Sequence, residues 1–195
     1  MIYLSKIFSG VACLPLLFLA IGAVTAVPQT TQQPADGPSL EVTLKFIGDF
    51  MTTESPVSYT KTDVDFKDMP DSYSYSYREF RQEGCVLHYV INEKLQHPAN
   101  VESLKYARRA DFSKLNPLAI RVQTVAEFEA EVVASVPQLR GTTYTITPET
   151  YKVRSTRSLD DDNEFFLADR QRADRLAKAI NHAIVLCGGA KDQPF

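Results

Sequence analysis

The chain has 195 residues and a mass of 21.8 kDa, with 44% hydrophobic and 23% charged side chains, three cysteines and no tryptophan. These are the proportions of an ordinary globular protein, which excludes a collagenous, wholly disordered, cysteine-dense or membrane-embedded chain. The formal net charge of −3 argues against general nucleic-acid binding, which needs a basic surface.

The average conceals an asymmetry at the N-terminus. Lys6 is the only charged residue among positions 1–26, and 19 of those 26 residues are hydrophobic. A basic start, an apolar run through Leu14–Ile21 and small residues at Val24-Thr25-Ala26 form the pattern of a secretory signal peptide, residues 1–26. The competing arrangement is an uncleaved anchor, since Ile7–Ala26 gives 20 uncharged residues. Pro15 and Gly22 interrupt that run and no basic cluster follows it, so cleavage is expected, with no transmembrane segment left. The exported chain then carries 20 basic and 24 acidic side chains over 169 residues, and it is expected to be secreted or periplasmic. Residues 27–38 hold three prolines and little to bury, which reads as a flexible linker.

The folded domain is expected over 39–189, with 190–195 as a tail. Ser39 is placed to cap a helix over roughly 40–51, in which Leu40, Leu44, Ile47 and Met51 share one face. From Val57 the period changes to two. Val57 and Tyr59, with Val64 and Phe66 as a possible continuation, mark a first strand. Tyr73, Tyr75 and Tyr77 alternate with serines in a second, and Cys85–Ile91 forms a third. Further strand candidates are Ser103–Ala107, Leu118–Val125, Phe128–Val133, Thr142–Thr147, Tyr151–Ser155 and Glu164–Leu167, although Ala126–Ala134 also suits a helical turn. Asp169 caps a last helix whose apolar stripe runs through Ala173, Leu176, Ile180, Ile184 and Cys187, and Gly188-Gly189 ends it. The fold class is therefore α+β: an N-terminal helix, an antiparallel sheet or small barrel, and a C-terminal capping helix.

Cys13 leaves with the signal, so Cys85 and Cys187 remain as an even pair. Both fall on inward-facing positions, and in an oxidising compartment they are expected to form a disulfide. Two separately buried thiols are the alternative, and thiol titration of the unfolded, unreduced chain separates the two.

Catalytic and metal-binding patterns are sparse. His88, His97 and His182 have no partner at ligand spacing, no glycine loop suits a phosphate, and no Gly-x-Ser-x-Gly is present, so neither metal nor cofactor is expected. Asp160-Asp161-Asp162-Asn163-Glu164 falls short of a calcium loop, because Phe165 and Gln171 stand where glycine and glutamate are required; a solvated turn is the simpler reading. Lys152, Arg154 and Arg157 could meet an anion or simply line a solvated strand face. The best binding feature is the stripe Tyr73, Tyr75 and Tyr77, an aromatic platform for a protein, glycan or lipid partner in the envelope; the plainer reading is one buried strand face.

Phe165-Phe166-Leu167-Ala168-Asp169 and His182-Ala183-Ile184-Val185-Leu186-Cys187-Gly188-Gly189 resemble the ending of uncharacterised secreted bacterial proteins, which also open on a Ser-Leu-Glu helix, as at Ser39-Leu40-Glu41, and carry a mid-chain cysteine, as at Cys85. The likeness is specific only in the final helix. It implies a disulfide-bearing α+β domain and no particular activity. Strands followed by a capping helix are also similar to pleckstrin-homology-like barrels, an analogy of fold alone. The functional expectation is a non-enzymatic interaction or ligand-binding module. The alternatives are a hydrolase with a carboxylate site, or a structural envelope protein.

Overall fold

The computed structural model describes residues 37–155 and 163–189. Residues 1–26, expected as a signal peptide, nearly all of the expected linker 27–38, the 190–195 segment, Arg157 and Asp160–Asp162 lie outside them.

The architecture is α+β, with helices at both ends of an antiparallel core. Helix α1 (Leu40–Thr53) starts where the Ser39 hydroxyl accepts the Val42 N–H. It buries Leu44, Ile47, Phe50 and Met51, the face that the sequence spacing predicts. Strands β1 (Val57–Asp63), β2 (Asp71–Glu83), β3 (Val86–His97), β4 (Asn100–Asp111) and β6 (Tyr144–Thr147) form a five-stranded sheet in the order β4-β3-β2-β1-β6. Val64 and Phe66, expected as a continuation of the first strand, lie beyond its end and are exposed. Strands β5 (Ile120–Thr124), β7 (Tyr151–Ser155) and β8 (Asn163–Leu167) make a second sheet in the order β5-β7-β8. Neither set of described strands closes into a barrel.

Residues 126–134 belong to a helix. Phe128–Val133, expected as a strand, lies in α2 (Val125–Ser135). A local signal decides it: the Thr124 hydroxyl accepts the Glu127 N–H at 3.1 Å, and the Glu127 carboxylate accepts the Thr124 N–H at 2.7 Å. This reciprocal cap satisfies two N–H groups that a helix start would otherwise leave open.

Helix α3 (Arg170–Leu186) is capped by Asp169, which accepts the Arg172 N–H at 2.8 Å. It packs on α1 and on the smaller sheet through Ala173, Leu176, Ile180, Ala183 and Ile184. Each of the larger aliphatic side chains contributes roughly 2 kcal/mol by leaving water. At its end Gly188 has φ +66°, and the N–H groups of Gly188 and Gly189 return to the carbonyls of Val185 and Ile184. Only glycine takes that left-handed position without strain.

Cys85 and Cys187 form a disulfide with their Cα atoms 5.7 Å apart, closing 102 residues of sequence. Cys85 sits in the β2–β3 turn, one residue before the strand it was expected to begin, and Cys187 caps the end of α3. The bridge thus ties a hairpin tip to the helix that covers the core.

A bulge shapes β2. Arg78 pairs with Val90 and Arg81 with His88, so Glu79 and Phe80 together oppose Tyr89. Glu79 takes φ +59°, the left-handed corner that such a bulge requires. The extra residue turns Phe80 inward against Tyr89, with ring centroids 5.5 Å apart. Phe80 meets α1 at Gly48, where an added Cβ would come within 3.0 Å of it.

Candidate functional site

Alternation along β2 puts Tyr73, Tyr75 and Tyr77 on the inner face of the large sheet, and the rest of the fold treats them differently. Tyr77 is 2% exposed. Its hydroxyl accepts the Phe166 N–H at 3.0 Å and donates to the Glu164 carbonyl at 3.4 Å. Strand β8 pairs only with β7, so its other edge faces the large sheet and the Tyr77 hydroxyl fills it. Tyr89 supports the same strand by donating to the Asn163 side chain at 3.2 Å. Tyr77 is therefore an anchor between sheets and no part of a binding surface.

Tyr73 and Tyr75 line a cavity of about 280 Å³ between the large sheet on one side and β7, β8 and α2 on the other. From the large sheet come Tyr59, Tyr73, Tyr75, Ile91, Glu93, Tyr106 and Arg108; from across the gap come Phe128, Glu129, Lys152, Glu164 and Phe166. The tyrosines form a row of near-parallel rings: Tyr59 stacks on Tyr73 at 5.0 Å, and Tyr75 on Phe166 at 4.1 Å. The Tyr75 hydroxyl donates to Glu93 at 3.0 Å. The hydroxyls of Tyr73 and Tyr106 have no hydrogen-bond partner among the described residues.

One ammonium group is built into the opposite wall, and a second, from Lys61 of the large sheet, meets that wall's Glu129. Lys152, with its side chain 3% exposed, pairs with Glu164 at 2.7 Å, and its Nζ lies 3.3 Å from the centre of the Phe128 ring. Burial holds its amine below the ordinary lysine value, and the Glu164 carboxylate partly offsets this. Arg154 also reaches Glu164, at 3.5 Å. Of the two readings the sequence left open for Lys152 and Arg154, an anion site or a solvated strand face, the second does not hold, because both side chains are largely buried. Lys61 joins β1 to α2 by pairing with Glu129 at 2.6 Å, with its Nζ 4.0 Å from the centre of the Tyr144 ring.

Burial also raises the phenols. Tyr73 is pushed up to about 12, chiefly by loss of water and then by Asp71, Glu129 and Glu93. Tyr59 and Tyr75 are raised further, again first by burial, with Glu93 among the negative groups that add to it. All three stay neutral donors through the physiological range.

The remaining expectations concern other places. His182 lies on α3 and its Nε2 meets the Pro38 carbonyl at 2.9 Å, a packing role. His97 pairs with Asp71 at 2.6 Å beside the β3–β4 turn. No group of three or more metal-ligating side chains occurs among the described residues, and none of the described helices is long and apolar enough to cross a membrane. No family model matches the chain, and no curated protein or solved structure matches it.

Sequence reasoning picked out two of the cavity's four tyrosines and missed its glutamates. Glu93 carried a usable signal, since it falls on the inward phase of β3 in register with Tyr75, where a carboxylate breaks an otherwise apolar and aromatic face.

Proposed function

We propose that the chain is an exported, non-enzymatic module that binds a small polar ligand, or the head of a larger one, in the cavity between its two sheets. The secretory pattern at the N-terminus and the likeness of the C-terminal helix to secreted bacterial proteins support the export part of this reading. The observation that carries the binding part is the state of the cavity's carboxylates: Glu129 and Glu164 are each held by an internal ammonium within 2.7 Å, and Glu93 by the Tyr75 phenol. Two of the three are thus ion-paired, which leaves Glu93 without a second free carboxylate to share acid–base work at a reacting atom. A binding site needs what this cavity has: aromatic walls, fixed donors and acceptors, and little reorganisation on filling.

The size of the cavity suits a solute or a headgroup better than a folded partner. Spectra of ring-labelled tyrosines in the mature chain, recorded against a panel of neutral, cationic and anionic small molecules, test the reading. Shifts confined to Tyr59, Tyr73, Tyr75 and Tyr106 and lost in Tyr75→Ala are expected. A panel that leaves every cavity tyrosine unmoved overturns the binding reading, and turnover of a panel member abolished by Glu93→Gln moves the protein to the hydrolase class.

A further inference from the structure

The protein repeats one small device at this cavity. Glu129 holds the Lys61 ammonium against Tyr144, and Glu164 holds the Lys152 ammonium against Phe128 and, at 5.2 Å, Phe166. In each case a carboxylate and an aromatic face together take one cation out of water. Glu93 is the third glutamate of the cavity and has the aromatic part of the device around it, in Tyr73, Tyr75 and Tyr59. It lacks the cation: among the described residues no lysine, arginine or histidine pairs with it, and one carboxylate oxygen is taken by the neutral Tyr75 hydroxyl.

From this internal repetition we infer that the corner formed by Glu93, Tyr73, Tyr75 and Tyr59 takes the ammonium group of a small organic cation. The inference rests on the binding reading above and specifies its ligand class. A cation over tyrosine faces beside a carboxylate gains from the ring quadrupole and from direct charge pairing, and both strengthen where water is excluded. The two lysines are each paired with a glutamate and do not stand there as bare cations; Glu164 is shared with Arg154, which also meets Glu131 at 3.9 Å. Arg108 lines the same cavity with its guanidinium over Tyr106; its residue pairs with Tyr89 and Leu104 with Glu93, so four strand residues, roughly 13 Å, separate the backbones of Arg108 and Glu93.

Calorimetric titration of the mature, disulfide-bonded chain with tetramethylammonium and choline, and with the uncharged isostere 3,3-dimethyl-1-butanol, tests the inference. At least tenfold tighter binding of the cations than of the isostere is expected, together with at least fivefold weaker cation binding by Glu93→Gln. Tyr73→Leu is the second variant, for use if Glu93→Gln unfolds, and the same loss is expected. Binding of free choline alone assigns a free quaternary ammonium compound as ligand, and added co-sedimentation with phosphatidylcholine but not phosphatidylglycerol vesicles assigns a headgroup; both support the inference. Equal affinity for isostere and cation, or binding of neutral or anionic probes only, overturns the ammonium assignment and leaves the binding reading standing. No response at the cavity tyrosines to any probe overturns both.

Discussion

One strand supplies the same residue to two regions with opposite fates. At Tyr77 the inner face of β2 is sealed: α1 and β8 lie over it, Phe165 packs 5.6 Å from its ring, and its hydroxyl is used by the β8 backbone. At Tyr73 and Tyr75 the same face looks into a cavity, and the cover is α2 and the polar side of β7 and β8. The Tyr-Ser alternation sets the face in both places. What is laid over it sets the role, and that depends on pairings far apart in sequence. A buried aromatic stripe is thus no single object: one end builds the core and the other lines a cavity.

Alkaline titration gives the largest effect and involves both regions. Burial raises Tyr59, Tyr73, Tyr75, Tyr77 and Tyr89 in the folded state above the ordinary value of 10.0. Each therefore contributes stability that is fully present below pH 10 and is lost as pH rises toward the folded value, about 12 for Tyr73. Lys152 works the other way by a single proton, since burial lowers its value and rising pH relieves that cost. Five phenols against one amine give a steep net loss. Absorbance at 295 nm is expected to show the buried tyrosines ionising together with the loss of far-ultraviolet ellipticity, between about pH 10 and 12. Gradual ionisation of all the tyrosines near pH 10, with the fold intact, would show that the row is not desolvated.

The disulfide acts on the sealed region alone. It closes 102 residues and joins the β2–β3 turn to the end of α3, at the far end of the hairpin from the cavity. Loop-closure entropy for that span is about 4–5 kcal/mol, and the paired Cys85→Ser, Cys187→Ser variant is expected to lose about 4 kcal/mol in urea unfolding. Affinity at the cavity, measured well below the midpoint, should change less than twofold. A comparable loss of binding would mean that the two regions form one cooperative unit.

How much of this could be read in the chain depends on the distance between the residues involved. The helix ends were legible because their caps are local: Ser39 with Val42, Asp169 with Arg172, and the two closing glycines. The cysteine pair was legible because removing Cys13 leaves only one pairing. Helix α2 had its signal in Thr124 and Glu127, three residues apart, and the alternation of Phe128 to Val133 competed with it. The cavity was not legible. Lys61 meets Glu129 across 68 residues and Tyr77 meets Phe166 across 89, and no local pattern states which strand an edge will face. The inner and outer phases of each strand could be assigned; which faces meet could not.

The smallest predicted effect separates the two regions most directly, because it removes one oxygen atom from each. Tyr77→Phe deletes the group that accepts the Phe166 N–H and donates to the Glu164 carbonyl, and it leaves the first buried and the second part-buried without that partner. An unpaired buried polar group costs on the order of 1–3 kcal/mol, so a loss of about 2 kcal/mol is expected. Tyr73→Phe removes a half-buried hydroxyl with no partner among the described residues, and its cost should stay within about 0.5 kcal/mol. Neither substitution changes ring stacking, so the difference between them isolates the hydroxyl. Urea unfolding of the two variants side by side reads it directly. Equal losses would mean that Tyr77 does not anchor β8 through its oxygen, and that packing against Phe165 alone holds the smaller sheet in place.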